Sequence, residues 1–249
     1  MGNHLLRRRT VHSTERIQRS KDPRSAYGIR GILFDMDGTL FRTQDLIVYC
    51  VNETSQKYLK RSLPREDSLW SFGPPARNII RQLVASNPDK PVNSAVDYYD
   101  SLYRSNFRDM AVGFQGIPEL LQGLSKSGKS LAIVTSETSA LSDYALKAFS
   151  LHNYFDALVT SDDVSKRKPD PEGIHLALKK IQLGPEDCML VGDSAADIAA
   201  GKKAGLVTGA ALWGSETWGD PRIASPDHLF SDVEELSKFF LIQSNLYRR

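Results

Sequence analysis

Short apolar runs alternate with longer amphipathic segments along most of the chain after residue 30. Apolar runs of this kind are typical of strands that are covered by helices on both faces. They occupy residues 32–34, 131–135, 157–160, 188–191 and 207–211. Between and after them, apolar residues recur every three or four positions, which predicts helices at 139–149, 171–181, 195–204 and 232–240. The alternation predicts an α/β fold, a Rossmann-like parallel sheet with helices on both faces.

The alternation stops between residues 44 and 111, where only helical periodicity is found. Helices are predicted at 45–61, 76–86 and 94–110, and the aromatic stripe of the last one is typical of a packed core face. A helical block that follows the first strand lies over the carboxyl ends of a parallel sheet, where such sheets bind ligands. We therefore predict a small α-helical cap at 44–111, inserted into an α/β core formed by 29–43 and 112–249.

Composition and charge make some classes of function less favoured than others. The chain is 41% hydrophobic and 25% charged, as in ordinary globular proteins. Its net charge of +2 hides an asymmetry: residues 1–28 hold seven basic and two acidic side chains, so the rest is slightly acidic. Nucleic acid is therefore not favoured as a partner of the core. The basic tail lacks apolar periodicity, which predicts disorder, and an organelle-targeting role for it stays open.

No apolar run approaches the roughly 20 residues that a membrane span needs, and no secretory signal is visible. We expect a cytoplasmic protein, a monomer or a homodimer, that acts without a membrane partner. The two cysteines lie far apart and outside any metal-binding pattern.

Two of the predicted strands end in carboxylates. Asp35 and Asp37 follow the run 32–34, and Gly38 allows a sharp turn after them. Asp193 follows the run 188–191, and Asp197 opens the next helix. Strand ends project side chains into the crevice above a parallel sheet, so we expect these carboxylates to converge there. Converging carboxylates repel each other unless a cation is present, and oxygen ligands favour Mg²⁺. Taken singly, each aspartate also fits a turn or a helix start.

Two further positions place donors and positive charge at the same edge of the sheet. Thr135 and Ser136 end the run 131–134 and offer hydroxyls and backbone N–H groups. Lys168 stands in the segment Arg-Lys-Pro-Asp-Pro, where prolines fix the backbone just before a predicted helix. Judged alone, Lys168 would be an ordinary solvated loop lysine.

Together, in chain order, these segments resemble a known family. Asp35-Met-Asp-Gly-Thr-Leu, Thr135, Lys168-Pro-Asp-Pro and Gly-Asp193-Ser-x-x-Asp197 are similar to the four motifs of the haloacid dehalogenase-like phosphohydrolases. The resemblance covers residues from about 30 to 240. The position of the helical insertion resembles the subgroup with a small α-helical cap.

The resemblance implies a role for each motif residue. Asp35 would be the nucleophile that attacks phosphorus, and Asp37 would be the general acid and then the general base. Thr135 would bind a phosphoryl oxygen and Lys168 would offset negative charge. The implied ligands of Mg²⁺ are Asp35, the backbone carbonyl of Asp37, and Asp193, and the supporting residues are Gly38, Ser136 and Asp197.

The expected activity is Mg²⁺-dependent hydrolysis of a small phosphorylated metabolite, a phosphoglycolate-like phosphate monoester, through an aspartyl phosphate. The segments 72–75, 161–164 and 211–214 look similar to phosphoglycolate phosphatases and to bacterial pyrophosphatases. An inorganic pyrophosphatase and a sugar-phosphate phosphatase or mutase stay open as alternatives, as does a non-catalytic binding protein on this fold. Arg77 is a candidate contact for a substrate carboxylate or second phosphate, or else a solvated surface arginine.

Overall fold

A computed structural model describes residues 28–63, 76–85, 91–214 and 220–245. The described strands are β1 (Gly31–Phe34), β2 (Phe41–Arg42), β3 (Val112–Gly113), β4 (Ser130–Val134), β5 (Ala157–Val159), β6 (Cys188–Gly192), β7 (Val207–Ala211) and β8 (His228–Phe230). The α-helices are α1 (Gln44–Leu59), α2 (Ala76–Ala85), α3 (Val92–Met110), α4 (Ile117–Lys126), α5 (Ser139–Ala148), α6 (Glu172–Ile181), α7 (Ala195–Lys203) and α8 (Val233–Asn245). Short 3₁₀ turns lie at His152–Tyr154, Pro185–Asp187 and Pro221–Ala224.

Six parallel strands form the central sheet, in the order β5-β4-β1-β6-β7-β8. All four residues of β1 are buried, because helices cover both faces of the sheet. Ile32 and Phe34 pack on the side of α4, α5 and α8, whereas Leu33 packs on the side of α6 and α7. The predicted α/β fold, a parallel sheet with helices on both faces, is confirmed, and each predicted strand is present.

Three helices, α1 to α3, stand between the antiparallel strands β2 and β3. They pack against one another, and their apolar faces continue the core on one side of the sheet. The aromatic stripe of α3 is buried as predicted. Near the C-terminal end of α3, the Phe107 ring lies edge-on to the rings of Phe41 and Phe149. The Phe41 and Phe149 rings stack on each other, with their centroids 4.7 Å apart. The division into a cap at 44–111 and a core at 29–43 and 112–249 agrees with this arrangement and stays a prediction.

Several elements were not predicted from the sequence: α4, the two-residue strands β2 and β3, and the edge strand β8. The tail at residues 1–27 and the turn at 72–75 lie outside the described residues. None of the helices in the described part of the chain is long and apolar enough to cross a membrane.

Candidate active site

The end of β1 places two aspartates in different surroundings. The backbone N–H of Asp35 donates to the Val191 carbonyl at 2.9 Å, which extends the ladder between β1 and β6 by one residue. The chain then turns at Gly38, whose φ of 87° lies in the left-handed region that glycine adopts without strain. The Asp37 side chain accepts a hydrogen bond from the Thr43 hydroxyl at 2.6 Å. Thr43 stands at the N-cap of α1, and its hydroxyl serves Asp37 instead of capping that helix.

Lys168 is buried between two carboxylates. Its Nζ atom donates to Asp35 Oδ1 at 2.6 Å, to Asp197 Oδ1 at 2.5 Å and to the Val134 carbonyl at 3.0 Å. Burial disfavours the charged ammonium, but the charges of Asp197 and Asp35 outweigh it and raise the pKa of Lys168 above its usual value. Burial raises the pKa of Asp35 to about 7, although Lys168 opposes that shift. Lys168 therefore links the carboxyl ends of β1 and β4 to the N-terminus of α7.

The N-terminus of α7 holds Asp197, the second carboxylate that Lys168 contacts. Ser194 and Asp197 form a reciprocal capping box: the Ser194 hydroxyl accepts from the Asp197 N–H, and Asp197 Oδ2 accepts from the Ser194 N–H at 3.0 Å. Gly192 is required beside them, because a Cβ atom there would lie 2.4 Å from the Asp197 Cβ. Both Asp197 oxygens are thus held, one by the helix cap and one by Lys168.

Asp193 completes a cluster of buried carboxylates with Asp35 and Asp197, in which one oxygen atom from each lies within 4.8 Å of the others. Asp193 Oδ1 accepts from the Thr39 hydroxyl at 3.1 Å, whereas Oδ2 has no hydrogen-bond partner among the described residues. Burial, and then the charges of Asp35 and Asp197, raise the pKa of Asp193 well above its usual range. An unpartnered carboxylate oxygen in such a cluster is chemically suited to a hard divalent cation.

Thr135 and Ser136 lie at the end of β4, where a surface depression also reaches Thr160, Lys166 and Lys168. The Thr135 N–H continues the ladder to the Val159 carbonyl at 3.0 Å, and its hydroxyl accepts from the Glu137 N–H at 3.1 Å. The structure thus brings Asp35, Lys168, Asp193 and Asp197 into direct contact or near contact, with Thr135 at the neighbouring strand tip.

Arg77, predicted as a substrate contact, lies on α2. It forms an ion pair with Asp100 of α3 at 2.9 Å, while its Nε atom is buried without a partner among the described residues. Its positive charge lowers the pKa of Glu137, which burial otherwise raises. A contact between Arg77 and substrate stays a prediction.

Three polar residues at the site were missed by sequence reasoning. Thr39 and Thr43 hold Asp193 and Asp37, and Glu137 is a buried carboxyl just beyond Thr135. The signal for Thr39 was present, because it directly follows the turn glycine in the first motif. Thr43 and Glu137 carried no pattern of their own.

Comparison of the sequence with known proteins shows which family the chain belongs to. Residues 32–211 match the model of the haloacid dehalogenase-like hydrolase family. Pyrophosphatase PpaX of Bacillus velezensis is 31% identical over 208 residues, which cover 84% of this chain and 94% of that protein. The chain therefore belongs to the haloacid dehalogenase-like hydrolases, and it is a phosphohydrolase of that family.

Solved structures show the same fold. A predicted phosphoglycolate phosphatase from Haemophilus somnus superposes with a TM-score of 0.74 at 19% identity, covering 85% of this chain and 97% of that one. A haloacid dehalogenase-like family hydrolase from Streptococcus pneumoniae has a TM-score of 0.68 at 26% identity, covering 86% of this chain and 99% of that one.

Proposed function

We propose that this protein hydrolyses a small-molecule phosphate monoester with the help of Mg²⁺ and through an aspartyl phosphate. The observation that carries the proposal is the contact of Lys168 with Asp35, beside a second strand-tip carboxylate, Asp193, that has an unpartnered oxygen. Phosphoryl transfer depends mainly on positioning and on neutralising charge, and this arrangement supplies both.

The residues present fit a magnesium ion. Asp35 and Asp193 would hold it with their side chains and Asp37 with its backbone carbonyl, while waters complete the octahedron. Asp197 is less suited as a direct ligand, because Lys168 and the α7 cap already occupy its oxygens. When bound, Mg²⁺ supplies positive charge that keeps these carboxylates ionised and offsets charge on the transferring phosphoryl group.

The chain's own residues account for the remaining steps. An oxygen of Asp35 attacks phosphorus, the bond from phosphorus to the leaving oxygen breaks, and Asp37 gives that oxygen a proton. Burial raises the pKa of Asp37 above its usual value, although the Thr43 hydroxyl opposes this, so that the side chain can carry a proton. Asp37 then takes a proton from the water that hydrolyses the aspartyl phosphate. Thr135 offers its hydroxyl to a phosphoryl oxygen, and Lys168 offsets negative charge on Asp35 and on the transferring group.

A second candidate is an inorganic pyrophosphatase, because relatives that carry this name align over most of the chain. A phosphoglycolate-like substrate and a sugar phosphate fit the same catalytic groups, since these groups contact only the phosphoryl end. The leaving group therefore distinguishes the candidates. The small-metabolite partner, the cytoplasmic location and the monomeric or dimeric state also stay proposals.

The test is the variant Asp35→Asn assayed on an aryl phosphate with Mg²⁺. We expect turnover to fall at least about 10³-fold because the amide is not a nucleophile, while thermal unfolding shows a folded protein. A matched control is Asp45→Asn, on the first turn of α1 and outside the carboxylate cluster, which should keep wild-type turnover. Wild-type activity in Asp35→Asn, with unchanged dependence on Mg²⁺, would mean that the proposed mechanism is wrong.

A further inference from the structure

Arg167 directly precedes Lys168 but has a different partner. Its side chain is half-buried, and no described aspartate or glutamate forms an ion pair with it. Both terminal guanidinium nitrogens of Arg167 donate instead to the side-chain oxygen of Asn78, with Nη2 at 3.1 Å. The Asn78 amide is oriented with its oxygen toward Arg167, because this orientation gives both nitrogens an acceptor. Arg167 is therefore held by a neutral group that leaves its positive charge in place.

The contact with Asn78 joins α2 to the loop that carries Lys168. Asn78 lies on the first turn of α2, a helix that packs against α1 and α3. A hydrogen bond from a charged donor is stronger than one between neutral groups, so this contact fixes the orientation of the guanidinium between the helix and the loop. A guanidinium has five N–H donors, and Asn78 accepts from only two nitrogens. Further donors of Arg167 are therefore available to a ligand.

The depression at the end of β4 places Arg167 beside the groups that serve the phosphoryl group. Its lining includes Thr135, Ser136 and Lys168, and also Lys166 and Arg167. The described residues that line it include no aspartate or glutamate. A depression that is lined by hydroxyls and cations, and by no acid, favours a ligand with negative charge.

The charges around Arg167 also favour an anion. Burial, and then the like charge of Arg81 on α2, lower the pKa of Arg167 below its usual value, although Asp162 and Glu137 oppose this shift. Both of these acids accept backbone N–H groups at the start of α5. Burial raises the pKa of Glu137 to about 8, so this carboxyl carries little charge near neutral pH. An anion beside Arg167 would offset the repulsion between the two arginines.

We propose that Arg167 is a specificity-determining residue, which Asn78 positions and which binds a second anionic group, a carboxylate or a phosphate, on the leaving side of the substrate. This inference rests on the phosphatase function proposed above and narrows its substrate class. A guanidinium binds either group through two parallel hydrogen bonds. Thr135 and Lys168 serve the phosphoryl group that is transferred, so the anion bound by Arg167 belongs to the part of the substrate that leaves.

Arg77 stands next to Asn78 in the sequence and is the other arginine on the first turn of α2. It forms an ion pair with Asp100 at 2.9 Å, which offsets its charge. Its Nε atom is buried and has no partner among the described residues, but it offers a single donor. Arg167 keeps its full charge and several donors, so it offers an anion the stronger contact.

The experiment compares substrates with and without a second anionic group. Phosphoglycolate and pyrophosphate carry one, 2-hydroxyethyl phosphate has a hydroxymethyl group in place of the carboxylate, and p-nitrophenyl phosphate has neither. The anion preference is kcat/KM for the better anionic substrate divided by kcat/KM for 2-hydroxyethyl phosphate. With Mg²⁺, the wild-type preference should be about 10-fold or more. Arg167→Gln should lower it by about 10-fold or more, mainly through KM, and keep hydrolysis of p-nitrophenyl phosphate within about 3-fold of wild type.

Three further variants make the test selective. Asn78→Asp leaves the arginine in place but gives it a carboxylate partner, so the anion preference should fall by about 3- to 10-fold. Arg167→Lys keeps the charge but loses the two parallel hydrogen bonds, and it should retain a preference of about 3-fold. Arg30→Gln is the matched control, because Arg30 precedes the opposite end of β1 and pairs with Asp187; it should keep the wild-type preference. Thermal unfolding checks that each variant is folded.

The results that overturn the role of Arg167 differ from those that overturn the phosphatase. An equal fall on every substrate in Arg167→Gln would assign Arg167 a structural role only. A wild-type protein without anion preference, or an unchanged preference in Arg167→Gln or in Asn78→Asp, would also exclude the proposed contact. In each of these cases aryl phosphate hydrolysis that depends on Asp35 still supports the phosphatase, whereas full activity in Asp35→Asn would refute the phosphatase mechanism itself.

Discussion

Two buried polar regions of this protein differ in how their atoms are paired. In the carboxylate cluster of Asp35, Asp193 and Asp197, Lys168 links two of the acids, and the α7 cap and Thr39 hold further oxygens. In the tyrosine pair, Tyr99 and Tyr103 on the buried face of α3, both phenol hydroxyls lack a partner among the described residues.

The difference shows which region has its geometry fixed by polar contacts. A site that stabilises charge in a transition state works best when its groups are held in place beforehand, since their reorganisation would otherwise add to the barrier. Buried hydroxyls without a partner are not held in this way, and their burial costs stability. The cluster is therefore preorganised, whereas the tyrosine hydroxyls add no stability to the core around them.

The largest effect is expected when the central cation of the cluster is removed. Lys168→Met leaves Asp35 and Asp197 as buried acids without their partner, so the free energy of unfolding should fall by about 3 kcal/mol or more. Turnover of an aryl phosphate should fall at least about 10³-fold. Lys203→Met is a matched control, because this exposed lysine donates to the Pro169 carbonyl on the same loop. Equal stability of the two variants in urea unfolding would contradict a central role for Lys168.

The next effect concerns the unpartnered oxygen of Asp193. At 100 times its dissociation constant, Mg²⁺ should raise the free energy of unfolding by about 2.7 kcal/mol, seen as a higher Tm. Asp193→Asn should lose this shift, and with a chelator it should be at least as stable as wild type, because it removes a like charge from Asp35 and Asp197. Asp187→Asn, just before the opposite end of β6 and paired with Arg30, should keep the shift. A full shift in Asp193→Asn would place the ion elsewhere.

The smallest effect tests the contrast between the regions directly. Thr39→Val removes a hydroxyl that donates to Asp193 and should cost about 1 to 2 kcal/mol. Tyr103→Phe removes a buried hydroxyl without a partner and should leave stability unchanged or raise it by up to about 1 kcal/mol. Urea unfolding of both variants without ligand measures the difference. A loss of stability in Tyr103→Phe as large as that in Thr39→Val would show that the Tyr103 hydroxyl already has a hydrogen-bond partner.

Sequence patterns predicted most of the fold because its strands and helices have clear local signals. The continuous apolar runs gave β1, β4, β5, β6 and β7, since strands buried on both faces need no polar positions. The edge strand β8 and the two-residue strands β2 and β3 are short, and pairing with a neighbour, rather than local composition, makes them strands. The apolar spacing of α3 predicted that the rings of Tyr99 and Tyr103 point inward, and their exposure of 0% confirms this.

The sequence by itself determined that Asp35, Asp193 and Thr135 stand at strand ends, because a strand and the turn after it are local features. Only the tertiary structure decided that Lys168 contacts Asp35, which lies 133 residues away, and that Asp197 shares it. The same holds for Thr39, which donates to Asp193, 154 residues further along the chain. Contacts of this kind depend on which distant strands pair side by side in the sheet, and the pairing of distant segments leaves no periodic signal in the sequence.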